Sequence, residues 1–223
     1  MLPFQLIIRS LSKAYGEMSV WQDLNLTLDS GCVYCLMGAS GIGKTTLFRI
    51  LLGLEQPDHG SFSLEPSPGY GLTAVFQENR LCESFTPIDN VRLAAGKILS
   101  RRQIAEELCR LLPSESLTRP VSTLSGGMKR RVAIVRSLLA PSCGILMDEP
   151  FTGLDDATRQ QAIDYVKEKT AGRLLIVATH QEEDVDSLGG VLLRPFDGSS
   201  PSGNSGRPSL SAPSGSSGGA PLP

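Results

Sequence analysis

Over residues 1–196, short apolar runs alternate with stretches of helical periodicity, the pattern of an α/β domain built on a largely parallel sheet. Strands are predicted at Gln5–Arg9, Cys32–Met37, Ala74–Gln77, Gly144–Asp148 and Leu174–Thr179. The last three are near-continuous apolar runs, as expected of strands covered on both faces. Between Gln77 and Leu124 the pattern turns helical. Thr86-Pro87-Ile88-Asp89 offers an N-cap, a first-turn proline and an acid at the third position, and Ser100-Arg101-Arg102-Gln103 has the form of a capping box. After the second cap, Ile104, Leu108, Leu111 and Leu112 fall on one helical face.

The pattern breaks at Asp197. The 27 residues from there to Pro223 include 9 Ser, 6 Gly and 5 Pro, with almost nothing apolar to bury, so this tail is expected to be disordered. The 196 residues before it suffice for one domain with a sizeable core.

Charge and composition narrow the function classes. Lys plus Arg number 21 against 23 Asp plus Glu, and a net charge of −2 exerts no bulk pull on nucleic acid or anionic lipid. No nucleic-acid partner is expected. No apolar run approaches the roughly 18 residues a membrane-spanning helix needs, and Met1–Ser10 lacks the features of a signal peptide, so a cytosolic chain is expected. Five cysteines do not read as a disulfide framework. Cys32 and Cys35 form a C-x-x-C, but on a strand positions i and i+3 point to opposite faces, and two such thiols cannot share one zinc ion. His59, in Pro57-Asp58-His59-Gly60, reads as an exposed turn residue.

Chemistry enters at Gly38-Ala39-Ser40-Gly41-Ile42-Gly43-Lys44-Thr45, which fits G-x-x-x-x-G-K-[ST], follows a predicted strand and opens a helical pattern from Thr46. Glycines let the backbone wrap closely, so that successive N–H groups and the helix N-terminus face phosphate oxygens. Lys44 would reach the β- and γ-phosphates, and Thr45 would offer a hydroxyl to Mg²⁺. Farther along, Ile145-Leu146-Met147-Asp148-Glu149 is an apolar strand ending in two acids. Adjacent carboxylates at a strand end project differently, so Asp148 is assigned to the magnesium shell and Glu149 to activation of water. An isolated Asp-Glu pair would more simply be a solvated strand end.

Leu124-Ser125-Gly126-Gly127-Met128 precedes a helical stretch, Lys129 to Ala140, with Ser125 as N-cap and two glycines that leave the helix N-terminus open to an anion. Alone, this is an ordinary serine-capped helix. Placed between the two nucleotide motifs, it resembles the signature of the ATP-binding-cassette (ABC) ATPases.

That resemblance runs from about Leu6 to Arg194 with the motifs in order. It implies a P-loop NTPase fold, with a RecA-like core, a small antiparallel β subdomain and a helical subdomain inserted at 78–123. Tyr15 resembles the aromatic that stacks on adenine. Gln77 resembles the glutamine that senses Mg²⁺ and links the core to the helical insertion. Asp155, in Gly153-Leu154-Asp155, resembles the D-loop acid, and His180 the switch histidine that contacts the γ-phosphate. Many family members carry Gln where this chain has Met128, and the expected effect is on helix contacts rather than on hydrolysis. The basic run Lys129-Arg130-Arg131 reads as a solvated helix face.

In that family ATP is held between the P-loop of one subunit and the signature of another. The resemblance therefore implies a partner that is a second copy or a homologous ATPase subunit, and an integral membrane permease docked near Gln77. A solute-binding protein would be engaged indirectly, from the cytoplasmic face of the plasma membrane. Phe76-Gln77-Glu78-Asn79-Arg80-Leu81 resembles the nitrate, sulfonate and taurine importer group. Two other readings remain open: a non-transport ABC ATPase that pulls on a membrane partner, and a small-molecule P-loop kinase.

Overall fold

Gly16 at φ 59° opens the tight turn between β1 (Gln5–Tyr15) and β2 (Met18–Asp29), and a second antiparallel partner, β4 (His59–Glu65), completes a three-stranded sheet in the order β2-β1-β4. The computed structural model describes residues 2–196. The tail expected at 197–223 lies outside them.

Strand β1 runs well past the predicted Arg9. Its inward residues are Leu6, Ile8 and Leu11, and a strict period of two breaks between the last pair. A bulge resolves the mismatch: Ser10 takes φ 46°, and the register passes from Ile8 opposite Leu26 to Leu11 opposite Leu24. Gly60 of β4 lies so close that a Cβ there would sit 2.2 Å from the Ser10 carbonyl oxygen. His59 is exposed as expected, but it pairs with Ser12 at the start of β4 rather than occupying a turn.

The parallel sheet comprises β3 (Val33–Leu36), β5 (Leu72–Val75), β6 (Gly144–Asp148), β7 (Leu174–Ala178) and β8 (Val191–Leu193), in the order β5-β6-β7-β3-β8. Every residue of β6 and β7 is buried, which explains their unbroken apolar runs. The same expectation fails for the strand predicted at Ala74–Gln77. It is the edge strand β5, shifted two residues toward the N-terminus, and only Val75 is buried. Phe76 and Gln77 leave the sheet.

The two faces of this sheet build two cores. On one, Cys35, Val75, Ile145, Met147, Leu175 and Val177 meet helices α4 (Gly126–Leu139) and α5 (Asp156–Thr170). On the other, Tyr34, Leu36, Leu146, Leu174 and Ile176 meet α1 (Lys44–Leu51) and the inner face of the antiparallel sheet. Cys32 packs with the second core and Cys35 with the first, so the two thiols do face opposite sides.

Helices α2 (Pro87–Ala95) and α3 (Arg101–Cys109) form where their caps predict. The Thr86 hydroxyl accepts from the Asp89 amide, and Ser100 and Gln103 form a complete capping box. Ile104, Leu108, Leu111 and Leu112 are all buried, and each such side chain removed from water contributes about 2 kcal/mol. Helix α2 packs on α4, where fully buried Asn90 ties the preceding loop together through the Cys82 amide and the Cys82 and Thr86 carbonyls. A short helix, α6 (Glu182–Leu188), lies between β7 and β8.

Candidate active site

Strands β3, β6 and β7 lie side by side and parallel, so the loops after their C-terminal ends converge at one edge. There a cavity of about 450 Å³ is lined by Gly38, Ser40, Gly41, Gly43, Lys44, Thr45 and Thr46 of the first loop, and by Gln77, Asp148, Glu149, Thr152 and His180.

The first loop wraps a small space because two residues need glycine. Gly41 has φ 81° and Gly43, the N-cap of α1, has φ 104°. At Gly43 a Cβ would lie 2.4 Å from both Trp21 Nε1 and Val20 Cγ1, so the antiparallel sheet backs directly onto the loop. Lys44 is nearly buried, and its ammonium donates to the carbonyls of Gly38 at 2.6 Å and Ala39 at 3.1 Å. Two weak neutral acceptors hold this charge, which leaves it ready for an anion in the cavity. Ala39 and Ile42 belong to the loop without lining the cavity; Ile42 closes a turn by donating its amide to the Ala39 carbonyl at 3.3 Å.

Asp148 ends β6 and is 3% exposed. Burial pushes its carboxyl above the ordinary aspartate range and the neighbouring Glu149 adds to this, against the Thr45 hydroxyl, which donates at 2.5 Å. Glu149 follows with φ 48°, a left-handed conformation that is uncommon for a side chain with a Cβ. Its amide still bonds the Ala178 carbonyl, so the strained turn is held by the sheet while the carboxylate swings into the cavity. There His180 Nδ1 lies 2.9 Å from a Glu149 carboxylate oxygen, and the Thr152 hydroxyl donates to the same group at 3.3 Å.

His180 is set by a buried network that no motif had flagged. The Thr179 hydroxyl just before it donates to Asp184 at 2.5 Å and accepts from the Gln181 amide, while Arg159 of α5 donates to the other Asp184 oxygen at 2.7 and 3.1 Å. Asp184 is 3% exposed and fully partnered. Thr152, Arg159 and Asp184 were missed because single polar residues in helical or loop context carry no spacing signal.

The remaining candidates lie outside the cavity. Tyr15 stands half-exposed at the end of β1, its hydroxyl 2.5 Å from Glu55. Ser125 caps α4 by accepting from the Met128 amide, with Gly126 exposed beside it and Leu124 buried beneath. Gly127 packs against the next loop, where a Cβ would meet Leu154 Cδ2 at 3.3 Å. Met128 packs against the helical core. Asp155 caps α5, and the Thr158 amide and hydroxyl hold its carboxyl below the usual aspartate range.

The basic run after Met128 is not a solvated face. Arg130 is 8% exposed and donates to the backbone carbonyls of Phe76, at 2.6 Å, and Gln77. Arg131 donates to the Leu111 and Gly127 carbonyls, and Lys129 pairs with Glu83. These guanidinium groups act as clamps for loops that have few partners of their own.

A model of the ABC transporter family matches residues 21–152. Nod factor export ATP-binding protein I of Ralstonia nicotianae is 34% identical over 199 residues, covering 82% of this chain and 61% of the relative, so the chain spans less than two thirds of that protein. The aliphatic sulfonates import ATP-binding protein SsuB of Corynebacterium glutamicum is also 34% identical, covering 86% of this chain and 80% of the relative. The bicarbonate transport ATP-binding protein CmpD of Synechococcus elongatus is 35% identical over 174 residues, 71% of this chain and 62% of the relative. Among solved structures, a dimeric, post-hydrolysis state of the ATP-binding cassette MJ0796 bound to ADP and Pi aligns with a TM-score of 0.75 at 25% identity, covering 86% of this chain and 95% of that one.

Proposed function

The chain belongs to the ABC transporter family, and from that premise we propose that it is the ATP-hydrolysing subunit of an ABC transporter, driving solute through a separate membrane permease by ATP-dependent closure of a dimer. The observation that carries this reading is a division within the fold. The cavity collects the phosphate loop, Gln77, Asp148, Glu149 and His180, while Ser125–Met128 lies elsewhere, at the N-terminus of α4. One chain thus holds the phosphate-binding and water-activating parts of one site and the signature of another. A second copy or a homologous subunit completes each site, a reading supported by the dimeric neighbour bound to ADP and Pi.

Within one site, the amides of 38–46 and the Lys44 ammonium bind the phosphates, and Tyr15 offers a ring face to the base. Glu149 orients and deprotonates the attacking water, held in place by His180 and Thr152, and His180 remains within reach of the γ-phosphate. From the partner, Ser125 and the open amides around Gly126 and Gly127 meet the same phosphate across the interface, with Asp155 beside them. The Thr45 hydroxyl, the buried Asp148 carboxylate and the Gln77 amide are hard oxygen donors, and a carboxyl whose burial outweighs the pull of Lys44 and Arg130 fits Mg²⁺ bound with the nucleotide. That ion would neutralise charge building on the transferred phosphoryl group.

The unit doing this is residues 1–196, with 78–123 as its helical insertion. No helix among the described residues is long and apolar enough to cross a membrane. The place proposed, a peripheral subunit on the cytoplasmic face of the plasma membrane, rests on the likeness to transporter ATP-binding proteins. Import is the direction proposed, with a solute-binding protein as indirect partner, on the resemblance of Phe76-Gln77-Glu78-Asn79-Arg80-Leu81 to the importer group and the likeness to the aliphatic sulfonates import protein.

Co-purification with a membrane protein and ATP-dependent solute uptake in vesicles tests the proposal. ATPase activity with a membrane partner but no solute movement would favour mechanical work on that partner instead. Phosphate transfer to a small molecule in place of water would overturn the reading.

A further inference from the structure

We propose that Arg130 is a positioning residue for Gln77, tying the helix that begins at the signature to the chain's own nucleotide cavity. This rests on the functional reading above and concerns a residue which that reading does not use.

Gln77 lines the cavity, yet it lies two residues beyond the end of the edge strand β5, with an exposed side chain. A loop leaving an edge strand needs anchors from elsewhere if its side chain is to sit reproducibly. Arg130 supplies them. Its guanidinium donates one nitrogen to the Phe76 carbonyl at 2.6 Å and the other to the Gln77 carbonyl. Two parallel contacts from one planar group fix direction as well as distance, which a lysine or a glutamine cannot reproduce. Six residues farther along α4, Arg136 repeats the device on the Asn79 and Arg80 carbonyls, at 3.2 and 2.8 Å. Arg80 itself, at φ 45°, lays its guanidinium 3.9 Å over the Phe76 ring.

The position of Arg130 decides between a packing role and a functional one. Its charge is 8% exposed, and burial pulls its pKa down, but the nearby Asp148 and Glu149 carboxylates oppose that shift. A guanidinium is costly to bury for packing alone. Here it feels the carboxylates of the cavity while holding the glutamine backbone. Ser125 caps the same helix five residues earlier, about 7.5 Å along the axis. A shift of the signature end of α4 must therefore either carry Gln77 with it or break both carbonyl contacts.

The test is a double-mutant cycle in the full chain with Arg130→Gln, Gln77→Ala and both together, reading kcat and KM for ATP hydrolysis, equilibrium binding of a fluorescent ATP analogue, and thermal melting. Arg130→Gln is expected to lower kcat by about ten- to a hundredfold, a misplacement effect, with KM changed far less. On the Gln77→Ala background the same change should cost almost nothing more, because the residue acts through Gln77. Arg130→Lys, which can hold one carbonyl, should recover part of the loss and replaces Arg130→Gln in the cycle if the latter does not fold. Losses that multiply in the cycle, or an unchanged kcat in Arg130→Gln, overturn the assignment while wild-type hydrolysis leaves the functional reading standing. A wild type that does not bind ATP overturns both.

Discussion

His180 Nδ1 and the Glu149 carboxylate meet at 2.9 Å across the ends of two adjacent parallel strands, β7 and β6, so the proposed water-activating group and its proposed orienting partner are held by one sheet. Glu149→Gln keeps the shape and the Thr152 contact but removes the basic oxygen. Hydrolysis should fall by about 10²–10⁴-fold while ATP binding persists. The trapped state should appear as ATP-dependent dimerisation by light scattering, and continued fast turnover would falsify the general-base assignment.

Ser125→Asp separates the observed cap from the proposed contact with a partner's nucleotide. Aspartate caps a helix as well as serine does, so the melting temperature of the free chain should hold within about 2 °C. A carboxylate facing a partner's phosphate should nevertheless suppress hydrolysis, with ATP affinity of the monomer unchanged. Loss of monomer binding would show that the signature serves its own chain's nucleotide.

Asp148→Asn should stabilise the nucleotide-free protein. Because burial raises the Asp148 pKa, the folded state disfavours the charged form, and that penalty is absent in acid and fully present once the pH exceeds the folded pKa. The variant should thus melt higher by about 2 °C or more at pH 7, with a smaller gain near pH 4, while hydrolysis with Mg²⁺ is lost. Equal melting at pH 7 would contradict the penalty.

Gly43→Ala meets two obstacles at once, a φ of 104° and contacts of 2.4 Å with Trp21 and Val20. A cost of about 2 kcal/mol or more is expected in urea unfolding. Since Trp21 is the chain's single tryptophan, a shift in its emission should accompany the change.

Asp184→Ala leaves Arg159 and the Thr179 hydroxyl without their buried partner and should cost about 3–5 kcal/mol. Asp184→Asn, which keeps the Thr179 contact, should cost less. Equal losses would locate the effect in the ion pair alone.

Much of the site was legible because its residues sit at fixed spacings on elements with strong local signals. The glycines of the phosphate loop, the acids closing β6 and the serine before α4 each combine a motif with a strand end or a cap. The clamps were not legible. Arg130 and Arg131 look like any basic helix surface in sequence, since carbonyl acceptors such as those of Phe76 and Leu111 leave no side-chain trace. The same holds for the antiparallel sheet: the bulge at Ser10 hides Leu11 from a period of two, and β2 mixes exposed and buried positions along its length. Edge strand β5 was misplaced because its apolar residues continue past the last paired position, Val75.

The left-handed backbone at Glu149 has a consequence for a saturation library at that position. Asn, Gln and Asp can take the φ of 48° at modest cost, whereas Val, Ile and Thr cannot, since a branched Cβ there crowds the adjoining carbonyl. Depletion of branched variants beyond that of glutamine in such a screen would report the backbone turn on top of the lost carboxylate. The comparison that isolates the carboxylate is between glutamate, glutamine and aspartate, and a survival map that ranks valine below glutamine measures the turn.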